Sequence, residues 1–225
     1  MRQAYQIQLA DLGAHGSRMC DLTSELMRDA SRSLLDGDLA LAEKVIAKDI
    51  RLDSMRSAAE ESALELLALQ APVASDLRAV VSALWVVADV QRMGTLAIHI
   101  AKAARRRHPS LVVPSEIRPI FERMSSVAMH LSGRAAEVLR TRNLSIAQGM
   151  DAEDDLMDDL HKQMFAILLS PNWSRDVATA IDLALLGRFY ERFADHAVAV
   201  ARRIVFLVTG ENIGGDTTVL LSAPD

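Results

Sequence analysis

The chain has 225 residues, of which 50% are hydrophobic and 24% charged, with a net charge of −5. A chain of this length buries roughly 70% of its unfolded surface on folding, so its core needs neither a metal nor a disulfide to form. Ten glycines and six prolines fall well below the roughly 12% these residues usually make up, and aromatics reach only 4%, which excludes collagen, disulfide scaffolds, disordered tails and most all-β folds.

Breaks fall at Gly37, Pro72, the stretch from Pro109 to Pro119, Asn143, and the stretch from Pro171 to Ser174. Between them, apolar residues recur at spacings of three and four, the signature of amphipathic helices. In chain order this predicts helices over about 2–36, 38–69, 75–107, 115–141, 145–169 and 174–208. Gly37 suits the left-handed end of the first helix and Asp38 the cap of the second; Ser75 and Ser174 stand where the third and sixth need caps. Arg105, Arg106 and Arg107 read as a cationic last turn facing the helix dipole. Beyond Gly210 the chain turns polar and Gly-rich, so 211–225 is expected to be a flexible tail.

Six helices with short connections suggest an all-α protein of two tandem three-helix bundles, and an internal repeat supports it. At an offset of 100, Asp76 falls on Asp176, Arg92 on Arg192, Ala97 on Ala197 and Ala101 on Ala201. At an offset of 105, Asp49 falls on Asp154 and Asp53 on Asp158; the change of offset lands in a turn, where length differences are tolerated. The expected units are therefore 1–108 and 109–210.

Cys20 is the single cysteine, so no intramolecular disulfide forms. The first residues lack an apolar signal core. The longest apolar stretch, Ala79 to Ala88, contains Ser82 and ends at Asp89, short of the roughly 20 residues that span a bilayer. These features predict a cytoplasmic protein, and the negative charge argues against a nucleic-acid partner.

The repeat places polar residues four apart at four positions: Asp49 with Asp53, Gln91 with Thr95, Asp154 with Asp158, and Glu191 with Asp195. Residues at this spacing share a helix face, where two carboxylates repel. A hard cation relieves that repulsion and takes carboxylate oxygens in place of water. The fifth helix is richest, with Asp151, Glu153, Asp154, Asp155, Asp158 and Asp159 close together. Asp151, Asp154, Asp158 and His161 project within about 80° of one another, so His161 is a possible nitrogen ligand. The alternative is a solvated acidic face, with Arg188 and Arg202 flanking Glu191 and Asp195 and Arg56 neutralising Asp49 and Asp53. No Gly-rich phosphate loop, G-x-S-x-G elbow or H-E-x-x-H motif is present. The acids leave a metal-dependent all-α hydrolase of the nucleoside-triphosphate pyrophosphatase type as an alternative, although such enzymes favour spacings of three and a basic clamp.

Three segments resemble a known family. Ala71-Pro72-Val73-Ala74-Ser75-Asp76-Leu77-Arg78 resembles the Q-P-x-A-S-D-L-R turn of the PhoU family, and Tyr190-Glu191-Arg192-Phe193-Ala194-Asp195-His196-Ala197 resembles its E-R-x-x-D-H-A signature. Val205-Phe206-Leu207-Val208-Thr209-Gly210 is similar to the end of its last helix. Within that family the chain resembles the actinobacterial (PhoY) members. The resemblance implies a non-enzymatic cytoplasmic negative regulator of phosphate homeostasis. Its expected partners are the ATPase subunit of the Pst phosphate transporter, a sensor histidine kinase and a second copy of the chain; any membrane association would be peripheral, through those partners. It also implies a divalent or trivalent metal (Fe, Mn, Mg or Zn) on Glu191 and Asp195 with Asp154 and Asp158, and by the repeat on Asp49 and Asp53. One departure weakens the first half: the family's E-R-x-G-D reads Gln91-Arg92-Met93-Gly94-Thr95, without either carboxylate.

Overall fold

A computed structural model describes residues 2–211. Its helices, in chain order, are α1 (Arg2–Asp36), α2 (Leu39–Ala47), α3 (Asp49–Gln70), α4 (Ala74–Arg107), α5 (Arg118–Thr141), α6 (Leu144–Leu168) and α7 (Val177–Thr209). There is no strand among the described residues. The expected tail, apart from Glu211, lies outside them.

Local chemistry accounts for most helix ends. Gly37 adopts φ +68°, and the Asp38 carboxylate accepts from the Leu41 amide at 2.9 Å, so the first boundary falls as expected. Asn143 caps α6 through the Ser145 and Ile146 amides, and Asp176 caps α7 through the Thr179 amide at 2.6 Å. Each such cap is worth about 1 kcal/mol. Ser174 is therefore not the cap of the last helix, and Ser75 does not cap α4, whose start follows extended Val73 with no side-chain cap.

The expected second helix, 38–69, is two helices. At Lys48 the backbone N–H turns back onto the Val45 and Ile46 carbonyls, tightening the last turn of α2. The Lys48 ammonium reaches across to α1, 2.6 Å from Glu25 and 3.9 Å from Asp29. No glycine or proline marks the break, and a long-range ion pair stands at it.

The bundles form as the repeat predicts. Helices α1 to α4 pack together, as do α5 to α7, and the halves meet where α4 lies against α7 and α1 against α5. Since α5 repeats α1 and α7 repeats α4, both contacts join equivalent elements, as a pseudo-twofold requires. Helices α2, α3 and α6 lie on the outer flanks. Among the described helices, α4 alone is long and apolar enough to cross a membrane. Its apolar side instead packs against α1 and α7, with Val87, Val90, Ile98 and Ala101 buried.

Contacts across the middle are specific. Trp85 packs on Phe206 with centroids 5.7 Å apart, and His99 meets Phe189 edge-on at 5.3 Å. Arg106 and Arg107 both bind the Asp182 carboxylate, at 2.7 and 2.6 Å. These pairings rise along α4 as they fall along α7, so the two helices run antiparallel. The three arginines form the cationic last turn of α4 as expected, and each also has an acidic partner: Arg105 reaches Glu43, and the other two clamp the halves together. The buried Tyr190 hydroxyl donates to Ser31 at 2.8 Å, tying α7 to α1.

Candidate metal centre

The apolar stripe of α7 that runs from Leu183 through Tyr190 to Ile204 is buried, which turns Glu191 and Asp195 toward α6 and the outer face. Gly187 lets the two helices approach closely: a Cβ there would stand 2.5 Å from Met164 Sδ. One turn further along α7, Glu191 and Asp195 face Asp154 and Asp158. The structure thus brings the four second-half carboxylates into one neighbourhood.

Their electrostatics record that neighbourhood. The half-buried Asp154 carboxyl is pushed up to about 7, first by loss of hydration and then by the charges of Asp195, Asp158, Asp151 and Asp155. The Asp195 carboxyl is also raised, by desolvation, Glu191 and Asp158, against the pull of Arg188 and His196. Glu191 is held by the Arg188 guanidinium. Arg202 pairs with Asp151 instead of with Glu191 or Asp195. Among the described residues no cationic side chain pairs with Asp154, Asp158 or Asp195.

Hard carboxylate oxygens with uncompensated charge suit a hard cation. In charge and donor type these residues fit one. As the side chains stand, no three His, Cys, Asp or Glu among the described residues converge on a single ion position. His161 does not join the carboxylates: its ring packs edge-on against Phe165 at 4.9 Å, and its buried Nε2 has no hydrogen-bond partner.

The first half places its residues equivalently but differs in chemistry. Gly94 allows the close approach of α3 and α4, where a Cβ would stand 2.2 Å from Leu52 Cδ2. Gln91 donates to Asp53 at 3.3 Å, and the Lys102 ammonium stands 3.9 Å from Asp49. Thr95 turns its hydroxyl onto the Gln91 carbonyl. Arg56 binds Glu60 twice at 2.8 Å and leaves Asp49 and Asp53 to these other partners. Protein donors thus partner both first-half carboxylates.

The motif histidine, His196, has a role that spacing did not show. It shares Asp89 with Arg203 at 3.0 and 3.5 Å, and Arg203 lies over the Trp85 ring at 4.8 Å. That cluster fixes the end of the signature motif against the other half. Asp182 was missed as well, although a carboxylate beside Leu183 and four residues before Leu186 is a polar interruption of an apolar stripe.

Fold and site together define an all-helical double three-helix-bundle protein with an acidic outer face on its second half. The profile of the PhoU domain matches twice, over residues 17–104 and 121–204, and the chain belongs to the PhoU family. It is 50% identical over 210 residues to "Phosphate-specific transport system accessory protein PhoU homolog 2" of Mycobacterium tuberculosis, covering 93% of this chain and 99% of the relative. It is 49% identical over 217 residues to PhoU homolog 1 of Mycobacterium leprae, covering 96% and 98%. The crystal structure of PhoU from Pseudomonas aeruginosa superposes with a TM-score of 0.81 at 23% identity, over 92% of this chain and all of that one, a likeness of fold.

Proposed function

We propose that this protein is a non-enzymatic negative regulator of phosphate uptake and of the phosphate-starvation response. It works in the cytoplasm as a homodimer, linking the ATPase subunit of the phosphate-specific transporter to a sensor histidine kinase, and it touches the membrane only through those partners. The observation that carries the reading is the 50% identity, over nearly the whole of both chains, with a protein named as a phosphate-specific transport accessory. Deleting the gene is expected to leave phosphate-starvation genes expressed in phosphate-rich medium. Normal repression in a deletion strain without a paralogue would refute it.

The same reading gives the α6–α7 carboxylates a divalent or trivalent cation, with Asp154, Asp158 and Asp195 as ligands and Glu191 joining once released from Arg188. The unpaired charge supports this, and the Gln91–Asp53 and Lys102–Asp49 contacts support weaker binding in the first half. Replacing Glu191 by Gln and Asp195 by Thr copies the first half into the second. Metal content after dialysis should then fall with helicity unchanged, and equal retention would return these acids to a solvated face. The carboxyls raised together at Asp154 and Asp195 favour one second reading, a metal-dependent hydrolase. Nucleotide hydrolysis with Mn²⁺, abolished by the same double substitution, would establish it.

A further inference from the structure

A groove of about 560 Å³ opens between the halves, walled by the start of α1 (Leu9, Gly13), the start of α4 (Ala79, Ala83) and the end of α7 (Leu207, Val208). Its size falls within the roughly 300–1,000 Å³ of small-molecule sites. The internal repeat accounts for the opening. At the offset of 100, Ala79, Ser82 and Ala83 correspond to Thr179, Asp182 and Leu183, and Phe206 and Leu207 correspond to Arg106 and Arg107. At the other end of the α4–α7 contact the larger Leu183 is fully buried, and Arg106 and Arg107 reach in to bind Asp182. At this end smaller side chains stand in place of Thr179, Asp182 and Leu183, and apolar ones in place of the two arginines.

The groove also holds an unsatisfied polar group. Ser82 lines it and is 1% exposed, and its hydroxyl has no hydrogen-bond partner among the described residues. A buried hydroxyl is normally satisfied, and within a helix it can bond back to the carbonyl a turn before. The hydroxyls of Ser24, Thr95, Thr141 and Thr209 each do so, on the carbonyl four residues earlier; that of Ser82 does not. A charge is left over as well. Arg142 lines the groove, and no acidic side chain among the described residues pairs with it. Its neighbour Arg140 pairs with Asp21 of α1, and Val86 lies against Gly16 of α1, so Arg142 stands at the Val86 end. Asp76 is the one carboxylate in the lining, and it lies earlier on α4, about 15 Å from Val86.

We propose that this groove binds a small apolar molecule that carries one anionic group, of the class of aryl or alkyl carboxylates and sulfonates. Its apolar body covers Leu9, Ala79, Ala83 and Leu207, a hydrogen-bonding atom within that body meets the Ser82 hydroxyl, and its anion pairs with Arg142. Water satisfies a hydroxyl but leaves the surrounding apolar walls wet; a molecule of this class satisfies both.

The dye anilinonaphthalene sulfonate has these parts, an aromatic body, an N–H and a sulfonate, and its fluorescence reports burial. Titrated into the full chain, it should bind saturably at a single site. Ala83→Leu supplies the leucine that stands at the equivalent position of the other half and should weaken binding roughly tenfold. Gly13→Leu should do the same; a Cβ at Gly13 meets nothing within 4 Å, so this variant fills the groove without disturbing its walls. Ser82→Ala removes the hydroxyl, and Arg142→Asn removes the charge with a residue that tolerates the φ of 53° there. Each of these two should weaken binding roughly threefold. Circular dichroism on every variant separates lost binding from lost fold. An absence of saturable binding in the wild type would overturn the proposal. So would unchanged affinity in folded Ala83→Leu or Gly13→Leu, which would place the dye on exposed apolar side chains such as Leu77 and Val177. Unchanged affinity in both Ser82→Ala and Arg142→Asn would overturn it too, because the polar half of the site would then do nothing.

Discussion

Asp154→Asn removes one ionisable group from the crowded carboxylates between α6 and α7 while keeping its shape. In the folded chain the Asp154 carboxyl is raised from 3.8 to about 7. A raised folded-state pKa means the group favours the folded state when protonated; that contribution is complete below about 4 and is lost as the pH climbs through 7. Three units at about 1.4 kcal/mol each set a ceiling of about 4 kcal/mol. Asp154 is half-buried, and solvent screening brings the expected loss nearer to about 2 kcal/mol. For a chain of this length that corresponds to about 4–8 °C in Tm. Thermal melts followed by circular dichroism, in EDTA and low salt from pH 4 to pH 8, should show the wild type losing this much relative to Asp154→Asn as the pH rises. Subtracting the variant's curve cancels the titrating groups that do not interact with Asp154 and leaves the titration of the coupled carboxylates. Adding Mn²⁺ at pH 8 should raise the wild-type Tm and leave that of the variant nearly unchanged. Parallel pH curves, or a variant less stable than the wild type at pH 8 in EDTA, would refute the account of mutual repulsion.

Four further outcomes follow from contacts elsewhere. Asp182→Asn strips the shared carboxylate from Arg106 and Arg107; with Asp182 only 11% exposed and the arginines more open, the loss should be about 2–3 kcal/mol by chemical denaturation. Gly94→Ala puts a methyl 2.2 Å from Leu52 in the core, so it should destabilise by about 1–2 kcal/mol after the helix-propensity gain. Gly13→Ala, with open space at its Cβ, should stabilise by about 0.5–1 kcal/mol in the same assay. The buried Cys20 thiol, pushed up to about 12, should resist Ellman's reagent at pH 8 in the native protein and react fully in guanidinium chloride; rapid native reaction would contradict its burial.

The helices, the boundary at Gly37 and Asp38, the internal repeat and the acidic pairs were all legible in the sequence. Each depends on residues within a turn or two of one another, or on a periodicity that the chain carries along its length. The apolar spacing along α7 is also carried by the sequence, and it is what turns Glu191 and Asp195 outward. Which charges stay uncompensated was decided by the tertiary structure. Arg56 chose Glu60, Arg202 chose Asp151, Lys102 stood beside Asp49, and the carboxylates of α6 and α7 were left facing one another. The break at Lys48 and the clamp of Arg106 and Arg107 on Asp182 are of the same kind, joining residues 19 to 76 positions apart. Helical periodicity assigns a side chain to a face, but a long, flexible charged group can reach several partners from that face. The choice among them rests on which helix packs opposite, and only the folded chain sets that.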